Sequence, residues 1–182
     1  MNQISVHLAD GFEEVEAVTI IDVLRRAGLN VVTVSITGNR IVKGSHNIEI
    51  KADLLFDDVD YKSGEMIILP GGMPGAKNLN EHKGLKAQIL DYQKNGKYLA
   101  AICAGPIVFG NLGILKGKRA VCYPGYEDSL LGAEVLSVPY IVDGQIITGR
   151  AVGAALEFSL EIVRIAKGEE SALLLRRAML IE

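Results

Sequence analysis

Apolar and polar positions alternate at the start of the chain, with Ile4, Val6 and Leu8 set against Ser5 and His7. A period of two predicts a short strand, which Asp10-Gly11 breaks. The period then lengthens. Val15, Val18, Ile21 and Leu24 recur at helical spacing from Glu13 to Ala27, with acids in the first turn and Gly28 as the stop. The β-branched stretch from Asn30 to Ile36 predicts a second strand, and this strand–helix–strand opening implies a parallel sheet. Ile41-Val42 and Ile48 to Ile50 flank Lys43-Gly44-Ser45 as a small hairpin.

Further along, the buried run Glu65 to Leu69 leads into the Gly-rich loop Pro70-Gly71-Gly72-Met73-Pro74-Gly75. Gly84 to Lys94 reads as a helix ended by Asn95-Gly96. Tyr98 to Ile102 is a strand that stops at Cys103, and Pro106 suits the first position of a short helix reaching Leu112. Arg119 to Tyr123 reads as a strand, followed by short strands at Val135-Leu136, Tyr140 to Val142 and Ile146 to Thr148. Two helices close the chain, Val152 to Ala166 and Glu169 to Ile181. Alternating strands and helices predict an α/β sandwich with a mostly parallel central sheet.

Composition narrows the function. At 182 residues with no linker or repeat, one domain spanning 1–182 is expected. A net charge of −3 lacks the basic stripe of a nucleic-acid binder. No apolar run approaches the length of about 20 residues that a membrane helix needs. MNQISVHLADGFEE has no basic, apolar leader pattern, so a cytoplasmic protein is expected. Two cysteines do not make a disulfide framework, and no His/Cys spacing suits a metal. There is no GxGxxG or P-loop, so no cofactor is expected.

Ligands of open α/β sheets bind at the carboxyl ends of strands. Three such ends can converge here: Ala9-Asp10-Gly11, Pro70-Gly71-Gly72 and Cys103-Ala104-Gly105. A thiol at a sharp strand-to-helix turn faces a helix N-terminus, which favours thiolate; a space-filling cysteine is the alternative. Glu16 shares its helix face with Ile20, Val23 and Ala27, so burial would raise its pKa and leave an acid able to donate to a thiolate. Glu13 and Glu14 read as ordinary first-turn acids. Gly71-Gly72 can offer backbone N–H groups to an oxyanion. All three histidines precede Cys103, which excludes a Cys-then-His nucleophile–base pair. His46 is a loop residue within possible reach of the site, His82 a solvated helix start, Cys122 a core cysteine, and Tyr123 a candidate pocket neighbour.

Taken in order, DGFEEVEAV, DVLRRAG, ILPGGMPGAKNL, AAICAGP and ITGRAVGAALEFSLEIV resemble the ThiJ/PfpI superfamily from Ile4 to the last helix. Within it they resemble the branch of the Parkinson-disease-linked deglycase and bacterial YajL. The resemblance implies a flavodoxin-like three-layer sandwich of the class I glutamine-amidotransferase type, assembled as a homodimer. It places the reactive cysteine on Cys103, its glutamate partner on Glu16 and the oxyanion-holding amides on Gly72 and Ala104. It implies a glyoxalase or deglycase acting on 2-oxoaldehydes or their adducts, or alternatively a non-catalytic, chaperone-like redox sensor whose Cys103 becomes a sulfinate. Relatives commonly carry a histidine where this chain has Tyr123, a poor base near neutral pH. Ala104 stands where the protease-like branch has histidine, so peptidase activity is not expected.

Overall fold

The computed structural model describes residues 3–181. In chain order it contains β1 (Gln3–Leu8), α1 (Glu14–Arg26), β2 (Val31–Ser35), β3 (Ile41–Lys43), β4 (Glu49–Lys51) and β5 (Leu54–Leu55). Then follow β6 (Gly64–Leu69), α2 (Gly75–Glu81), α3 (Lys83–Lys94), β7 (Tyr98–Ile102), α4 (Pro106–Asn111), β8 (Arg119–Ala120) and β9 (Glu134–Val135). β10 (Tyr140–Asp143), β11 (Ile146–Gly149), α5 (Ala155–Lys167) and α6 (Glu169–Ala178) complete the chain.

Seven strands form one sheet in the order β10-β11-β7-β6-β1-β2-β5. Its pairings are parallel except for the β10–β11 hairpin. Successive side chains of a strand point to opposite faces, and here each face has its own apolar core. Ile4, Val6, Leu8, Met66, Ile68, Ala100 and Ile102 pack with α1 and α5 on one side. Ile67, Leu69, Leu99 and Ala101 pack with α3 and α4 on the other. The sheet order reverses direction between β1 and β6, so the carboxyl ends of β1, β6 and β7 open into one crevice.

Five local expectations change. Strand pairing covers only Arg119–Ala120 of the expected Arg119–Tyr123 strand. Beyond it the backbone is diverted: Val121 N–H donates to Thr148 Oγ1 (2.9 Å) and Tyr123 N–H to the Cys103 carbonyl (2.8 Å). The end of the Gly-rich loop is helical, because Gly75 opens α2 and packs where a side chain would strike the Phe12 amide. Val152 to Ala154 forms a 3₁₀ turn ahead of α5, and α6 ends at Ala178. His82 is no solvated helix start. Its Nδ1 accepts from Leu85 N–H (3.0 Å) to cap α3, and its ring meets Phe56 edge-on.

Candidate active site

Cys103 ends β7 with φ of 63°, in the left-handed region that non-glycine residues seldom occupy. The end of β11 and the segment after β8 hold it there, since its N–H donates to Gly149 O (2.9 Å) and its carbonyl accepts from Tyr123. Backbone strain of this kind costs about 1–3 kcal/mol and persists only where the surroundings enforce it. Gly105 permits the tight exit from the elbow, because a Cβ there would lie 2.7 Å from the Leu69 carbonyl. The thiol is half-buried as a result.

Glu16 is fully buried in the first turn of α1, above an apolar face that includes Ile20 and Val23. Its Oε2 accepts from Gly71 N–H (2.8 Å), and the Cys103 side chain lies close by, also against Gly71. Oε1 is buried and has no hydrogen-bond partner among the described residues. Gly71 makes the approach possible. A Cβ on it would lie 2.6 Å from Cys103 Cβ and 2.8 Å from Glu16 Oε2. Gly72, with φ of 88°, folds the loop back so tightly that a Cβ would fall 2.3 Å from the Glu13 nitrogen.

Burial raises the Glu16 carboxyl to about 7, against the smaller opposing pull of Gly71 N–H and the Cys103 thiol. Burial also raises the Cys103 thiol, and the neighbouring Glu16 carboxylate adds to this, pushing it up to about 12. The N–H groups of Gly72 and Ala104 act the other way by donating to the sulfur. The expectation that the helix dipole would govern the thiol is therefore corrected: burial and Glu16 dominate it. Between about 7 and about 12 the two groups hold one proton and one negative charge between them.

The sequence reading missed Glu14. This residue is almost fully buried, and its Oε1 accepts from His46 N–H (2.6 Å) while Oε2 meets His46 Nδ1 (2.8 Å) and Ser45 Oγ (3.1 Å). Burial alone would raise its pKa, but these bonds outweigh it and hold the carboxyl down at about 2. Gly44 leaves room for it, since a Cβ there would lie 2.2 Å from Glu14 Oε1. Glu14 thus ties the β3–β4 loop to the start of α1. His46 is committed to Glu14, with no hydrogen bond to Cys103 or Glu16 among the described residues. Glu13, Glu14 and His46 also bring potential metal-ligating atoms within 4.8 Å of one another, a grouping invisible to sequence spacing. Cys122 is buried, and Tyr123 is half-exposed beside the elbow.

A parallel α/β sandwich with a thiol on a left-handed elbow, backed by a buried glutamate, defines a class of strand-end cysteine proteins. Residues 2–165 match the model of the DJ-1/PfpI family, and the chain belongs to that family. It is 39% identical over 180 residues to Protein DJ-1 homolog A of Arabidopsis thaliana, covering 98% of this chain and 46% of the relative. The chain therefore spans about half the length of that relative. The Parkinson disease protein 7 homolog of Danio rerio is 34% identical, with 97% of this chain and 96% of the relative covered. The solved structure of oxidized Toxoplasma gondii DJ-1 superposes with a TM-score of 0.94 at 35% identity, covering 99% of this chain and 98% of that one. The fold is thus the flavodoxin-like sandwich of these neighbours. Relatives named for an activity include a deglycase of Pyrococcus abyssi (31% identical, covering 87% of this chain and 96% of the relative). A glutathione-independent glyoxalase of Caenorhabditis elegans is 33% identical, covering 87% of this chain and 84% of the relative.

Proposed function

We propose that the protein is a cofactor-independent enzyme of carbonyl stress, converting small 2-oxoaldehydes to 2-hydroxy acids or releasing them from their adducts. The observation that carries this reading is the placement of the Cys103 sulfur between a buried Glu16 and the N–H groups of Gly72 and Ala104. Two amides favour negative charge on sulfur, and the unsatisfied Glu16 Oε1 favours a proton on the carboxyl. At rest the lower pKa leaves the charge on Glu16 and the proton on Cys103, and the reactive form, thiolate with carboxylic acid, arises when that proton passes from sulfur to the carboxylate. The names of the Pyrococcus and Caenorhabditis relatives support the same class of chemistry.

In the proposed reaction the thiolate bonds to the aldehyde carbon, and Glu16 gives its proton to the oxygen, forming a hemithioacetal. The Gly72 and Ala104 amides carry the oxygen's charge as it develops. Glu16 carboxylate next removes the hydrogen of that carbon as the adjacent carbonyl oxygen takes up a proton, giving an enediol. Glu16 then returns the hydrogen to the second carbon while the hydroxyl on the first carbon gives up its proton and becomes a carbonyl. One carbon is oxidised as its neighbour is reduced, leaving a thioester. Water then cleaves the C–S bond, releasing the hydroxy acid and regenerating the thiol.

Incubation with methylglyoxal in the absence of glutathione tests this. Wild type is expected to form lactate, and Cys103→Ser to form none above background. Equal rates in the two proteins would refute the assignment. The second reading is a redox sensor, favoured by the oxidized state of the similar Toxoplasma protein. There the thiolate attacks peroxide, displacing hydroxide to give a sulfenate, and a second peroxide gives the sulfinate. A wild type that leaves methylglyoxal untouched but gains oxygen at Cys103 under mild peroxide would establish that reading in place of the first.

The apolar side chains of Val15, Val18 and Ile48 stand exposed on α1 and the loop Glu14 tethers. We assign them to a homodimer interface. Sedimentation at micromolar concentration is expected to show a dimer; a monomer there would contradict the assignment. Among the described residues no helix is long and apolar enough to cross a membrane.

A further inference from the structure

We propose that Tyr123 and Tyr126 form an aromatic wall beside Cys103 that selects neutral carbonyl compounds bearing an aryl or apolar substituent. The inference rests on Cys103 being the reacting group. Tyr123 donates its backbone N–H to the carbonyl of Cys103 (2.8 Å), which anchors its main chain directly at the elbow. Val121 fixes the same segment from behind by its bond to Thr148.

Although large and aromatic, the Tyr123 side chain is 46% exposed, and its hydroxyl has no hydrogen-bond partner among the described residues. It is not loose. Its ring centroid lies 6.3 Å from that of Tyr126 with the planes inclined at 59°, a favourable aromatic arrangement. Tyr126 in turn packs against the core beneath α3 and α4. The pair therefore presents a braced, uncharged aromatic surface. A ring standing half in water beside a reactive group can accept a flat or apolar substituent at little ordering cost.

Local charge argues against an anionic substituent. Glu13 acts electrostatically on Glu16, and Glu127 acts on Cys122, the neighbour of Tyr123. The nearby cation, Arg150, donates through Nη1 to Ser137 Oγ (2.7 Å), which orients the guanidinium and leaves its charge in place. A carboxylate on the substrate would meet two acids and a phenol ring against that single cation.

The test compares Cys103 alkylation by phenacyl bromide and by bromoacetone, using the wild type, Tyr123→Ala and Tyr123→Phe, with free N-acetylcysteine as reference. The wild-type phenacyl-to-acetonyl rate ratio is expected to exceed the reference by about two- to tenfold, the range of one aromatic contact. Tyr123→Phe should keep that excess and Tyr123→Ala should lose it. A ratio unchanged in Tyr123→Ala would overturn the proposal. Phenylglyoxal and methylglyoxal turnover should show the same shift in relative kcat/KM. If wild type turns over neither aldehyde while the alkylation ratio still falls in Tyr123→Ala, the catalytic reading fails and the aromatic wall stands.

Discussion

Gly71→Ala is expected to lower Cys103-dependent turnover about a hundredfold, the effect of displacing reacting groups by roughly an ångström. The added methyl would lie 2.6 Å from Cys103 Cβ, 2.8 Å from Glu16 Oε2 and 2.9 Å from the Ala104 nitrogen. None of these neighbours is the free end of a flexible chain. The thiol belongs to a constrained elbow, the carboxyl is fully buried and the third is backbone. Relief must come from moving the elbow away from the glutamate, which separates the groups that share the proton. Forced repacking of a core typically costs about 1–3 kcal/mol, so the protein should melt earlier yet still fold. Kinetics beside a melting curve check this. A folded variant with wild-type turnover would show that the close approach of Cys103, Glu16 and Gly71 is not needed.

Glu16→Gln removes the proton that the thiolate exchanges and leaves the shape almost unchanged. Turnover should fall by about 10²–10⁴, the usual weight of a general acid–base group. Stability should respond in a way a merely structural residue would not. The folded pKa of Glu16, raised by burial to about 7, exceeds the ordinary 4.5, so between these values the native state holds more protons than the unfolded chain. The stability it contributes is fully present below pH 4.5 and is lost as pH rises through about 7. The loss from this group is about 3 kcal/mol, at about 1.4 kcal/mol for each pKa unit of the shift. A glutamine cannot ionise, so the variant should lose that slope and gain stability relative to wild type at pH 8. Denaturant titrations at pH 5 and pH 8 read it directly; an identical slope in both proteins would contradict the buried-acid account.

Much of this arrangement is visible in the chain because burial leaves a pattern. β6 and β7 read as strands from unbroken apolar runs, and Glu16 stands out as the one acid in a stripe containing Ile20 and Val23. Glu14 was not legible. What buries it is the loop from Gly44 to Ile48, and a neighbour that distant leaves no periodic trace. The end of the expected Arg119–Tyr123 strand failed for a related reason: its β-branched and aromatic residues fit a strand, but Thr148 and Cys103 capture its amides. The thiol's electrostatics failed by magnitude. Sequence shows a helix start beside Cys103, whereas burial and the Glu16 carboxylate outweigh that dipole and become apparent only once the groups are in place.

The most direct test of the shared-proton site is the ultraviolet absorbance of thiolate as a function of pH, taken as wild type minus Cys103→Ser. With the first proton leaving Glu16 at about 7, thiolate absorbance is expected to stay absent through the neutral range and to rise only as pH approaches about 12. Absorbance that develops around pH 7 would place the first-leaving proton on sulfur. Glu16 would then already hold its proton at neutral pH, and the transfer from Cys103 to the Glu16 carboxylate that opens the proposed chemistry would be contradicted.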